Sequence, residues 1–152
     1  MKNNIETIVV SGFPGVGKSY YVNRGEGSDY MPQGFAIDSD SSTFDKSDFP
    51  ENYIKHIKEN IGKVKIIFVS SHKEVRDALV DAKIDFTLAY PYANLKDEYI
   101  ERYKERGSDD GFINFISDNW NEFILELRYQ KGCKHLVLGE KEYLYNTLKY
   151  SC

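Results

Sequence analysis

The chain predicts a three-layer α/β/α domain built on a five-stranded parallel sheet. Short β-branched apolar runs alternate along its whole length with segments of helical periodicity, the pattern of a parallel sheet covered on both faces. The first apolar run ends in a glycine-rich turn that leads into a helix. With 152 residues the chain suits a single domain with a core of its own, and residues 1–152 are read as one unit.

Each element has its own warrant. Residues 5–10 form a short β-branched run, a buried strand, and the helix after it should stop at Arg24 before Gly25-Glu26-Gly27-Ser28. Residues 34–38 make a second strand that runs into the polar cluster Asp38-Ser39-Asp40-Ser41-Ser42. Ser47-Asp48-Phe49-Pro50-Glu51 announces a helix, with Tyr53, Ile54, Ile57 and Ile61 at helical spacing and Gly62 as its stop. Residues 64–69 are the clearest strand, continuously apolar. Ser71-His72-Lys73-Glu74 reads as a capping box, with Val75, Ala78, Leu79 and Ala82 as one buried stripe behind it. A fourth strand spans 86–90 and stops at Pro91. A charged helix spans 94–106, with Leu95, Tyr99 and Tyr103 four residues apart, and Gly107 closes it. Ser108-Asp109-Asp110 opens a long helix ended by Gly132, residues 135–138 are a fifth strand, and 140–149 a closing helix.

Composition narrows the class. Hydrophobic residues at 41% and aromatics at 14% exclude a disordered chain. A net charge of −4 argues against a protein dedicated to coating duplex DNA, though local basic patches remain compatible with it. Met1-Lys2-Asn3-Asn4 is not read as a signal peptide, because its apolar run is short and continues into the glycine turn. No stretch reaches transmembrane length, so no membrane partner and a cytoplasmic location are expected. Cys133 and Cys152 lack metal-ligand spacing and read as a reduced pair. Oligomeric state is not legible.

The chemistry is spelled by Gly12-Phe13-Pro14-Gly15-Val16-Gly17-Lys18-Ser19, which is G-x-x-x-x-G-K-[ST] in strand–loop–helix context, a phosphate-binding P-loop. Glycines allow the tight turn that aims successive N–H groups inward, and the following helix adds its free N–H groups and dipole. The expected phosphate contacts are Gly12, Pro14, Gly15, Val16, Gly17, Lys18, Ser19 and the adjoining Tyr20. Lys18 would bridge the β- and γ-phosphates, and the Ser19 hydroxyl would ligate Mg²⁺. Binding of a nucleoside triphosphate follows.

Five strands with this loop after the first resemble the small P-loop kinases, of the adenylate-kinase and polynucleotide-kinase type. The resemblance implies the P-loop NTPase fold with strand order 2-3-1-4-5, ATP as phosphoryl donor and Mg²⁺ as its metal. Asp38 and Asp40 lie one residue apart just past the second strand, where shikimate-kinase-like enzymes carry Asp-x-Asp and polynucleotide kinases a base-acting Asp. By that resemblance Asp40 is the candidate base and Asp38 a candidate for the magnesium shell, while Asp-Ser-Asp-Ser also suits a solvated Asx turn. Many P-loop NTPases end the third strand with an acid that holds Mg²⁺ through water. Here Ser70-Ser71-His72 stands in its place, which weakens a motor ATPase reading and leaves Asp38, Asp40 or both to substitute.

Arg102 and Arg106 lie four apart on the helix after the fourth strand, where such kinases close a lid whose arginines contact the transferring phosphates. Residues 94–110 are therefore a candidate lid, although Glu98 in register with Arg102 equally fits an ordinary salt-bridged helix. His72 and Arg76, one turn apart, are weaker candidates for an acceptor phosphate or base. Residues 41–62 correspond to the acceptor-binding insert of nucleotide kinases, with Phe44, Phe49 and Tyr53 as candidate lining. Asn94-Leu95-Lys96-Asp97 lacks the spacing of a guanine-reading motif.

The resemblance implies a kinase, an enzyme moving the γ-phosphate of ATP to a nucleotide, a nucleoside or a small hydroxyl compound. The build also resembles compact phage-type kinases, some acting on modified bases such as 5-hydroxymethyluracil in DNA, so a DNA acceptor is the first alternative. A nucleotide-binding regulatory protein with little turnover is the second.

Overall fold

The computed structural model describes residues 6–17, 36–39 and 44–144, and the Asp38 side chain lies outside what it describes. The sheet has the expected order. Strands β1 (Ile8–Gly12), β2 (Ala36–Asp38), β3 (Ile66–Ser70), β4 (Thr87–Pro91) and β5 (Lys134–Leu138) lie β2-β3-β1-β4-β5, every pair parallel. Helices α1 (Glu51–Asn60), α2 (Lys73–Asp81), α3 (Lys96–Glu105), α4 (Asp110–Asp118) and α5 (Trp120–Arg128) complete a three-layer α/β/α architecture. Sheet order and flanking helices are consistent with a generic P-loop NTPase-like fold.

The central strand explains why the first element ends later than its apolar run. β1 pairs on both sides, with β3 from Ile8↔Ile66 to Gly12↔Ser70 and with β4 from Val10↔Thr87 to Gly12↔Ala89. Pairing therefore carries the strand through Ser11 and Gly12, and the fully buried Ser11 hydroxyl is satisfied by the Ser70 carbonyl at 2.8 Å. Pro91 belongs to β4 as its last residue, opposite Leu138, beyond the end of β1 pairing at Ala89.

Three helix expectations need correction. Ile61 sits just past α1 in extended backbone and is 43% exposed, so the buried stripe is Tyr53, Ile54 and Ile57 alone. The Ser71–Glu74 capping box does not form, since His72 is the N-cap of α2 and no side chain caps it. The single long helix after Asp109 is two. Asn119 leaves helical backbone (φ −112°, ψ 12°), and its side-chain amide donates back to the Phe115 carbonyl at 2.9 Å. Asp109 does cap α4, accepting from the Phe112 N–H. The expected helices after residue 17 and after residue 144 lie outside the described residues.

The core is continuous around the sheet, with Val9, Val10, Ile67, Phe68, Val69, Leu88 and Ala89 at its centre and Tyr53, Leu79, Tyr99, Tyr103 and Trp120 from the helices. Among the described residues no helix is long and apolar enough to cross a membrane.

Candidate functional site

The glycine loop leaves the carboxyl end of the central strand, the edge of the sheet where open α/β folds place ligands. Phe13 starts it with an N–H donated to the Ala89 carbonyl of β4 (2.9 Å), and Val16 closes the turn onto Phe13 O (3.2 Å). Gly15 and Gly17 hold φ of +92° and +102°, each after a residue of negative φ, Pro14 and Val16. That alternation directs successive N–H groups to one side, the geometry of an anion nest. The N–H groups of Gly15 and Gly17 have no acceptor among the described residues.

The opposite side of the loop is heavily tied down. Three consecutive carbonyls accept from outside it: Pro14 from the Tyr103 hydroxyl (2.7 Å), Gly15 from Arg102 Nη1 (2.7 Å), and Val16 from the Leu144 N–H (2.9 Å). The tyrosines of α3 press directly on the turn. A Cβ at Gly15 would lie 2.9 Å from Tyr103 Cε1 and 3.0 Å from Tyr99 Cδ2, so glycine is required by space as well as by φ. Behind them, Trp120 meets Phe13 edge-on at 5.6 Å and Tyr99 at 5.7 Å, and its indole N–H donates to Ala93 O.

Arg102 is 7% exposed and joins three segments. Besides Gly15, its Nη2 donates to Glu98 Oε2 (2.7 Å) and to the Glu142 carbonyl (2.9 Å). Glu98 Oε2 also accepts from the Lys141 N–H at 2.8 Å. The guanidinium lies 4.2 Å from the Tyr99 ring centroid and 3.7 Å from that of Tyr143. Its Nε and the Tyr99 hydroxyl are buried without a partner among the described residues. Burial pushes the Tyr99 and Tyr103 phenols well above their ordinary range, more than Arg102 and Arg106 nearby draw them down, so both stay neutral.

Arg106 is placed differently. It is exposed at the end of α3, with its guanidinium 5.0 Å from the Tyr103 ring and its Nε donating to Ser108 Oγ at 3.0 Å. Gly107 follows it at φ +81°.

The acidic segment is anchored through the residue between its two aspartates. Ser39 donates its N–H to Phe68 O of β3 (2.8 Å), its carbonyl accepts from Tyr53 OH (2.6 Å), and its Oγ lies 2.9 Å from His56 Nε2. Phe44 packs edge-on to Tyr53 at 4.9 Å and against His56 at 5.3 Å, and Phe49 lies 5.6 Å from Tyr53. Phe44 and Phe49 thus both pack on Tyr53, forming a wall that holds Ser39. Asp38 continues β2 opposite Phe68. Its side chain, and Lys18, Ser19, Tyr20 and Asp40 entirely, lie outside the described residues.

The weaker pair separates. His72 is exposed, whereas Arg76 is 2% exposed and fully engaged, donating to Ser71 O (2.8 Å), Gln130 Oε1 (2.6 Å) and the Glu126 carboxylate. Arg76 is a tie between α2 and the end of α5, not a ligand-facing group. Tyr99, Tyr103, Glu98 and His56 carry site contacts that periodicity did not assign. The four-residue spacing of the tyrosines marked a buried stripe but not what it is buried against. The chain matches no protein-family model, and no curated protein sequence matches it.

Proposed function

We propose that the chain is an ATP-dependent phosphotransferase whose donor site is the loop of residues 12–19. The observation that carries this reading is the loop backbone. Two glycines at positive φ alternate with residues of negative φ at the end of the central strand, and three outward carbonyls are already satisfied. A turn held that way presents N–H groups to an anion at little reorganisation cost.

In this reading Lys18 neutralises the β- and γ-phosphates, and Arg106, exposed beside a positive-φ glycine, meets the γ-phosphate as charge builds on its oxygens. Arg102 acts through the loop that it holds. An acceptor oxygen attacks the γ-phosphorus, the bond to the β–γ bridging oxygen breaks, and ADP leaves. For a hydroxyl acceptor, Asp40 takes the proton. The Ser19 hydroxyl and the Asp38 carboxylate are hard oxygen donors that would hold Mg²⁺, which would neutralise charge at the phosphates. Nucleotides, nucleosides and related small hydroxyl compounds are the acceptor class, taken up beside residues 41–62.

Purified protein with ATP and Mg²⁺ is tested against nucleosides, nucleoside monophosphates, oligonucleotides and DNA carrying 5-hydroxymethyluracil, with ADP release as the readout. Acceptor-dependent release is expected with at least one class, and none across the panel would sink the reading. Lys18→Ala is expected to weaken ATP binding and transfer together. Asp40→Asn should keep ATP binding while slowing transfer by about two orders of magnitude. Full transfer by Asp40→Asn would remove Asp40 from the role of base.

A further inference from the structure

We propose that α3 is a fixed buttress that pre-shapes the phosphate loop, with Arg102 as its positioning residue and Tyr103 as its second tie. This rests on the reading of residues 12–19 as a phosphate site, and it assigns Arg102 a part other than contact with phosphate.

The argument begins with where the donors go. Arg102 and Tyr103 are neighbours in sequence, and they donate to neighbouring loop carbonyls, Gly15 and Pro14, at 2.7 Å each. A peptide plane is rigid, so a carbonyl held on one side fixes the N–H of the next residue on the other. Holding Pro14 O orients the Gly15 N–H, and holding Gly15 O orients the Val16 N–H, which closes the turn onto Phe13 O and so fixes the loop between the Gly15 and Gly17 N–H groups. Leu144 holds Val16 O and so orients the Gly17 N–H. Without these ties a turn rich in glycine samples many conformations, and a phosphate would have to order it on binding.

The arginine suits this task better than phosphate capture. Its guanidinium is buried between the Tyr99 and Tyr143 rings, and its charge is matched by Glu98 at 2.7 Å. Its terminal nitrogens reach three separate acceptors, Gly15 O, Glu98 Oε2 and Glu142 O. A planar fork with fixed donors fits that arrangement, and a lysine ammonium cannot reproduce it. Swinging α3 away would break two loop hydrogen bonds and expose two wholly buried tyrosines. Glu98 extends the tie to the segment after β5 through the Lys141 N–H. Loop, helix and that segment are therefore tied together.

The experiment uses inorganic tripolyphosphate, which has no base and so isolates the loop, with ATP alongside, titrated by calorimetry into the full chain. Arg102→Lys and Tyr103→Phe are compared with Arg76→Lys, which alters an equally buried arginine far from the loop's hydrogen bonds. Tyr103→Phe keeps the ring and removes only the hydroxyl tie, so it remains informative if Arg102→Lys fails to fold. Affinity for tripolyphosphate is expected to fall about tenfold in Arg102→Lys and about threefold to tenfold in Tyr103→Phe. Arg76→Lys should bind within about twofold of the parent despite its lost stability. Equal binding by Tyr103→Phe and the parent would overturn the proposal, as would an equal loss in Arg76→Lys. A parent chain that binds neither tripolyphosphate nor ATP would instead remove the phosphate-site reading, and the buttress with it.

Discussion

Gly15 is where backbone, packing and chemistry meet most tightly. Its φ of +92° and the 2.9 Å approach of Tyr103 to a hypothetical Cβ leave no room for a side chain. Gly15→Ala should therefore cost about 1–3 kcal/mol of stability in urea unfolding and weaken tripolyphosphate binding with it. An alanine variant as stable as the parent would show that the loop does not need this conformation. The motif fixes glycine at 12 and 17 but leaves position 15 open, so the need for glycine there comes from the positive φ of the folded turn. What pressed against it was not legible. Tyr99 and Tyr103 announced a buried stripe, but a stripe names no partner, and the contact crosses more than eighty residues of chain. Arg102 illustrates the same limit from the other side. Its spacing from Glu98 and Arg106 fitted both a lid and a salt-bridged helix, and only the fold brings Gly15 O and Glu142 O to it.

Elements were legible where one face meets one layer and less so where a side chain chooses between backbone partners. All five strands stand where the apolar runs placed them, shifted by up to three residues because pairing, not hydropathy, sets their ends. The long helix after Asp109 failed at Asn119, whose amide turns back on the Phe115 carbonyl and lets the chain restart at Trp120. The capping box failed because the helix starts one residue later, with His72 at its N-cap, and Ser71 instead gives its carbonyl to Arg76. That arginine is the main polar tie between α2 and the end of α5. Arg76→Ala should destabilise the chain by about 2 kcal/mol, less than the roughly 3–5 kcal/mol of a fully buried pair, since Glu126 is half exposed and regains water. Urea midpoints measure it, and an unchanged midpoint would mean that the two helices hold without the tie.

Across the whole molecule the buried phenols make stability depend on alkaline pH. Tyr99 and Tyr103 are held neutral by burial, so their folded pKa values lie above the unfolded value of about 10. The unfolded chain releases these protons first. Their contribution is complete below about pH 10 and declines as pH rises from there toward the folded values, by up to about 1.4 kcal/mol per pH unit for each group. Tyr103→Phe should show a shallower decline between about pH 10 and 11 than the parent, measured by urea unfolding at each pH. Equal slopes would mean that Tyr103 titrates normally in the folded chain. Sheet order itself came from resemblance rather than periodicity, since hydropathy runs cannot say which strands are neighbours. The parallel pairing and the β2-β3-β1-β4-β5 order agree with it.

The chain has one tryptophan, and Trp120 stands edge-on to Phe13, the second residue of the glycine loop. Its indole is buried, hydrogen-bonded to Ala93 and flanked by Tyr99, so its emission depends on a few ångströms of local packing rather than on bulk solvent. If the loop binds phosphate as proposed, Trp120 emission is expected to shift as it binds, so the unlabelled protein can report on it in real time.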